Sequence, residues 1–152
     1  MKKKTPKKIT LDNLEKSAMK YLGKYFVSEY QLVSMLKRKI IKTCFFYKVK
    51  PEKNFEFIKL ITTKFKRIGL IDDKKFSENK TLTYMERGYS KKKIIFNLKT
   101  KGVSDENIGE GINNLKTTYV NSELAAALIY AKKKKFLTFK KKEKKFNEIK
   151  KK

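Results

Sequence analysis

Residues 70–115, LIDDKKFSENKTLTYMERGYSKKKIIFNLKTKGVSDENIGEGINNL, decide how this chain folds, because they read as three short helices separated by two glycine stops. Asp72 and Asp73 stand where a carboxylate accepts the orphan backbone N–H groups of a helix start, and Phe76, Asn79, Leu82 and Met85 then recur every three residues until Gly88. Ser90 is a second cap, and Ile94, Ile95 and Leu98 form a narrow apolar stripe that ends at Lys101 and Gly102, a residue able to take the left-handed conformation of a helix stop. Ser104 opens the third helix, with Asp105 and Glu106 where the helix dipole favours negative charge and Ile108, Ile112 and Leu115 along one side. Helices this short with one apolar face are not stable alone and must pack on one another.

The same plan occurs upstream. Aligning Ser28 with Ser90 lays Leu32 on Ile94, Leu36 on Leu98, and the basic run Lys37, Arg38, Lys39 on Lys99, Thr100, Lys101. Ser28 and Gln31 form a capping box. A further helix carries Phe57, Ile58, Ile61, Phe65 and Ile68 on one side, with Pro51 near its first turn and Gly69 at its end. The chain therefore reads as all-α, a tandem array of three-helix units: a basic arm over 1–10, repeat 1 over 11–71, repeat 2 over 72–117, and an incomplete repeat 3 over 118–152 that starts at Asn121 and Ser122 and passes into a lysine-rich end. A compact domain and an extended, solenoid-like shape are both open at this length.

The formal charge is +26. Lysine far outnumbers arginine, which occurs only as Arg38, Arg67 and Arg87, and this usage suits an AT-rich genome; the shortage of acids has no such origin, since glutamate codons are also AT-rich. Self-repulsion of that size implies a polyanion nearby, either nucleic acid or an acidic protein surface. Lys2, Lys3, Lys4, Lys7 and Lys8 make an arm expected to be disordered. Within the units, charge gathers on the second helices: Lys37, Arg38, Lys39 and Lys42 in the first, and Lys91, Lys92, Lys93, Lys99 and Lys101 in the second. Such a stripe can track a phosphate backbone, or it can be an ordinary solvated face. From Lys132, Lys133 and Lys134 onward the chain is mostly lysine and suits polyanions without sequence preference.

Catalysis has little support. No histidine is present, and a single cysteine, Cys44, builds neither a disulfide nor a thiolate metal site; in KTCFFY it reads as a buried small hydrophobe. No catalytic residue, metal ligand or cofactor site is expected. Gly109 and Gly111 in NIGEGINN lack the third glycine and the strand of a dinucleotide fingerprint. The longest uncharged apolar run, 124–131, is too short to cross a bilayer, and no apolar stretch follows the basic start as a secretory signal requires; the expectation is an intracellular, cytoplasmic protein. Tyr25, Phe26, Tyr30 and Tyr89 can stack on bases, although at helical spacing beside leucines they are expected in the core. The segment TCFFYKVK, 43–50, is expected to cover a local core, and an exposed FFY would mark a partner site instead.

In their order and caps, AMKYLGKYFVSEYQLVSMLKRK, RIGLIDDKKFSENKTLTYMERGYSKKKIIFNLKTKGVSDENI and ELAAALIYAKKKK resemble the RecX family of bacterial recombination regulators. The resemblance covers about residues 14–136, most specifically GLIDDKKFSENK, RGYSKKKI and KGVSDENI. It implies an elongated, curved, all-helical array that acts without catalysis, as a monomer, in DNA repair, recombination and the SOS response. It implies binding to the RecA recombinase filament on single-stranded DNA, limiting its assembly, ATPase, strand exchange and co-protease activity, with no membrane partner. By position, Lys37, Arg38, Lys91, Lys92, Lys93 and Lys99 would contribute to the binding surface. The third unit lacks the second glycine stop and last helix typical of the family. From charge alone, a generic nucleic-acid-binding array and a protein held on anionic lipid by its lysine tail are the other two readings.

Overall fold

A computed structural model describes residues 5–134. Lys2, Lys3 and Lys4 of the arm, and residues 135–152 with the rest of the lysine-rich end, lie outside the described residues. Every regular element within them is helical: α1 (Leu11–Leu22), α2 (Glu29–Tyr47), α3 (Glu56–Arg67), α4 (Asp73–Glu86), α5 (Lys91–Lys99), α6 (Asp105–Thr118) and α7 (Ser122–Lys133), with one 3-10 turn at Glu52–Asn54. The chain divides between Asp72 and Asp73 into two compact units.

The helix starts obey local chemistry. Ser28 Oγ accepts from Gln31 N while Gln31 Oε1 accepts from Ser28 N, a complete capping box at α2. Ser90, Ser104 and Asn121 cap α5, α6 and α7 in the same way through Lys93 N, Asn107 N and Leu124 N. Four helix ends also share one closure. After α2, α3, α4 and α5, the residue with positive φ is Lys48, Gly69, Gly88 and Gly102 respectively. The next N–H then reaches back five residues, Val49 to Cys44 O, Leu70 to Phe65 O, Tyr89 to Tyr84 O and Val103 to Leu98 O. This closure satisfies the last carbonyls of each helix and turns the chain sharply.

In the first unit, Leu14 and Ala18 of α1, Leu32, Leu36, Ile40 and Cys44 of α2, and Ile58, Ile61 and Phe65 of α3 form one core closed by Val27 and Ile71. In the second, Phe76, Met85, Ile94, Leu98, Val103, Ile108 and Leu115 from α4, α5, α6 and the turns between them pack with Tyr119 and with Ala125 and Ala126 of α7. The register that aligns Ser28 with Ser90 places equivalent side chains inside: Leu32, Leu36, Ile94 and Leu98 are all fully buried.

Several expectations fail in informative ways. The buried face of α4 is Phe76, Ser77, Thr81 and Met85, not a row through Asn79 and Leu82. Asn79 instead turns its amide back to Lys75 O, and Leu82 is exposed. The reason is a close crossing with α6, where a β-carbon on Gly111 would lie 2.9 Å from Thr81 Oγ1 and 3.1 Å from Ser77 Oγ. Small polar residues fill that gap where bulky apolar ones would not fit. Gly109 and Gly111 lie within α6, as the spacing of Ile108, Ile112 and Leu115 predicts. Ile68 lies just past the end of α3, where the turn swings it outward. Pro51 precedes the 3-10 turn, so α3 begins only at Glu56. Residues 6–9 of the arm are seated on the first unit: Tyr47 Oη donates to Pro6 O at 2.6 Å, Asn13 Nδ2 donates to Lys8 O, and Ile9 packs on the core.

Candidate functional site

The two second helices differ in how they hold their lysines. On α2, Lys37, Arg38 and Lys39 are exposed, opposite the buried row of Leu32, Leu36 and Ile40. Lys39 Nζ donates to Ser17 Oγ of α1 at 2.6 Å, so this cation also joins two helices, and Arg38 Nε reaches the Ser34 carbonyl at 3.4 Å. On α5, Lys91, Lys92 and Lys93 occupy the first turn and are exposed. Every other described α-helix has an Asp or Glu in its first turn, and α5 has none. Positive charge there opposes the helix dipole, at a cost of about 0.3–1 kcal/mol per charge, whereas an anion at the same place would meet both the lysines and the orphan N–H groups.

Lys99 and Lys101 sit at the other end of α5, about 12 Å along its axis. Lys99 Nζ pairs with Asp105 at 2.7 Å, but both side chains are more than half exposed, which makes the pair weak. Lys101 is half-buried. Lys132 and Lys133 lie in the last turn of α7 and Lys134 at its cap, where the dipole favours cations and accounts for them without a ligand.

Around α4 and α5 the structure gathers groups that the linear pattern missed. Tyr84 and Tyr89 stack in parallel, ring centres 5.4 Å apart at 7°, and Lys93 Nζ lies 4.2 Å above the Tyr89 ring. Burial pushes the Tyr84 hydroxyl up, a rise that the nearby Arg87 partly opposes and Tyr89 adds to. Lys80, also on α4, is held below the ordinary lysine range by burial first and then by repulsion from Lys101 and Arg87. Lys80, Arg87 and Lys101 thus form a like-charged group beside two stacked tyrosines. An anion relieves such repulsion, and an aromatic pair offers a stacking surface. The seven-residue interval from Lys80 on α4 to Arg87 in the turn just past its end was the available signal; the approach of Lys101 required the packing of α5. The other candidate stackers, Tyr25, Phe26 and Tyr30, are each more than half exposed, not in the core. Tyr25 and Phe26 line a shallow apolar cleft of about 240 Å³ in the first unit with Met19 and Leu70.

Among the described residues no three acidic or thiol side chains converge as a metal site would require. None of the described helices is long and apolar enough to cross a membrane.

No protein-family model matches the sequence. The chain is 28% identical over 136 residues to the regulatory protein RecX of Myxococcus xanthus (strain DK1622), an alignment that spans 90% of this chain and 72% of that protein. The likeness to RecX proteins thus runs along nearly the whole chain. The fold of this chain is shared by the crystal structure of RecX from Lactobacillus salivarius, with a TM-score of 0.62, 17% identity, and coverage of 91% of this chain and 83% of that one.

Proposed function

We propose that this RecX-type regulator binds the RecA filament on single-stranded DNA and restrains its assembly, ATP hydrolysis, strand exchange and co-protease activity, without chemistry of its own. The observation that supports this most is the first turn of α5. Three lysines stand where every other described helix carries an acid, so the unbound protein holds a charge arrangement that a phosphate-rich partner would relieve. In this reading Lys91, Lys92 and Lys93 face the nucleoprotein, Lys37, Arg38 and Lys39 contribute from the first unit, and Lys99, Lys101, Lys132, Lys133 and Lys134 add diffuse attraction. The protein works as a monomer in the cytoplasm, and α7 opens a third repeat.

The cation group of Lys80, Arg87 and Lys101 beside Tyr84 and Tyr89 favours a second reading, a nucleic-acid-binding array with no RecA specificity. Binding to naked single-stranded DNA and to preformed RecA–DNA filament at matched nucleotide concentration separates the two. The filament reading predicts tighter binding to the filament, weakened by Lys91, Lys92 and Lys93 to Ala together. Equal affinity for both, with a steep salt dependence, would leave only the second reading.

A further inference from the structure

The most exposed large apolar side chain among the described residues is Phe45, 86% accessible near the end of α2. Ile41 stands one turn before it, and Phe46 and Val49 beside it are also more than half exposed, so the FFY segment covers no core. The buried side of the same stretch is complete without them, through Ile40, Thr43 and Cys44. Nor is the patch loosely held. The Tyr47 hydroxyl is tied to Pro6 O, and its ring meets Phe46 edge-on at 5.1 Å and 84°, while the backbone closure through Val49 N and Cys44 O fixes the helix end. Large aromatics ordered in advance lose little entropy when a partner covers them.

Lys48 supplies an independent observation. The three other helix ends with this closure place glycine at the left-handed position, at φ +72, +77 and +73, whereas α2 places a lysine there at φ +53. A β-carbon in that conformation is disfavoured, and Lys48 has no ion pair among the described residues to offset it. The strain keeps a cation beside Phe45 and Val49. Lys37, Arg38, Lys42 and Lys50 complete an exposed basic margin around the apolar row.

We propose that this end of α2 is a docking surface for an acidic protein segment that carries a bulky apolar side chain. Charge selects the occupant. A second copy of a chain of charge +26 is repelled, and so are this chain's own residues 1–4 and 135–152, which are rich in lysine. An anionic bilayer has the right charge, but Ile41 and Phe45 form a row along the helix axis, which suits an element lying alongside α2 and not an end-on insertion. The surface shares Lys37 and Arg38 with the filament reading, but its apolar row does not depend on that reading, and its test needs neither RecA nor DNA.

The test is the anisotropy of a labelled synthetic helical peptide with Leu on one face and Glu on the other, titrated with the full chain. Saturable binding is expected, weakened at least about tenfold by Phe45→Ser, a change at an exposed position that leaves the thermal midpoint in place. Lys48→Gly should weaken binding about threefold while leaving the midpoint unchanged or higher, a combination that a purely structural lysine does not produce. The proposal is overturned by an absence of saturable binding, by equal affinity of Phe45→Ser, or by equal affinity for a peptide in which Ser replaces every Leu. Phosphatidylserine vesicles form the second arm; Phe45-dependent binding to them and not to the peptide would make the surface a lipid site and equally overturn it.

Discussion

Helices α2 and α5 begin alike and end differently. Each starts at a serine cap and buries the residues four and eight positions after it, Leu32 and Leu36 in one, Ile94 and Leu98 in the other. After that shared segment α5 closes at Gly102, having run 9 residues, while α2 continues to 19 residues, adds Ile40 and Cys44 to its core, and closes at Lys48. The extension is what carries Ile41, Phe45 and Phe46 into solvent. A common start and buried register therefore hold the two units to one packing scheme, and the helix ends are where their surfaces diverge.

Substitutions at the ends test that contrast. The largest effect is expected at Gly88, which ends α4 at φ +77 and where an added β-carbon would also lie 2.8 Å from the backbone nitrogen of Tyr130. Gly88→Ala combines conformational strain with a clash against helix backbone, and a loss of about 3 kcal/mol in a urea melt is expected. Gly69→Ala, at φ +72 with nothing within 4 Å, should cost only about 1 kcal/mol and so measures the conformational part alone. Gly102→Lys gives α5 the ending that α2 has, and a similar loss of about 1 kcal/mol is expected. Lys48→Gly makes the reverse exchange; it should leave stability unchanged or raise it by at most about 1 kcal/mol. If Lys48→Gly were instead as damaging as Gly88→Ala, the lysine would be holding the first core together and the contrast would fail.

The smallest effect is electrostatic. Lys80 lies below its ordinary pKa of 10.5 in the folded protein, so the native state holds that proton less tightly than the unfolded chain does. Its penalty is full below the folded pKa and fades as pH rises from there through 10.5. Lys80→Gln should accordingly raise the thermal midpoint slightly at neutral pH and low salt. Because Lys101 and Arg87 contribute to that penalty, added salt should narrow the difference.

The sequence shows best what short-range chemistry decides. Ser28, Ser90 and Ser104 as caps, and Gly69, Gly88 and Gly102 as left-handed stops, follow from groups within a few residues of one another, and all are present. The buried rows of α2 and α5 were legible because Leu and Ile repeat there without competitors. On α4 the inward face was not, since Ser77 and Thr81 are buried by the absence of a side chain at Gly111, far along the chain. The same limit applies to the candidate site. Lys91, Lys92 and Lys93 could be read from their cap, but the grouping of Lys80 and Arg87 with Lys101 depends on how α4 meets α5. Phe45 and Cys44 are adjacent and equally apolar in pattern, and only the direction of α2 sends one outward and the other in.

The central claim is that this RecX-type regulator restrains the RecA filament through cations that include the first turn of α5. It is tested most directly by single-strand-dependent ATP hydrolysis of RecA with the protein added at stoichiometric ratio. The account predicts a lower rate with the natural chain and a largely restored rate with Lys91, Lys92 and Lys93 all changed to Ala; an unchanged rate with the natural chain would contradict it.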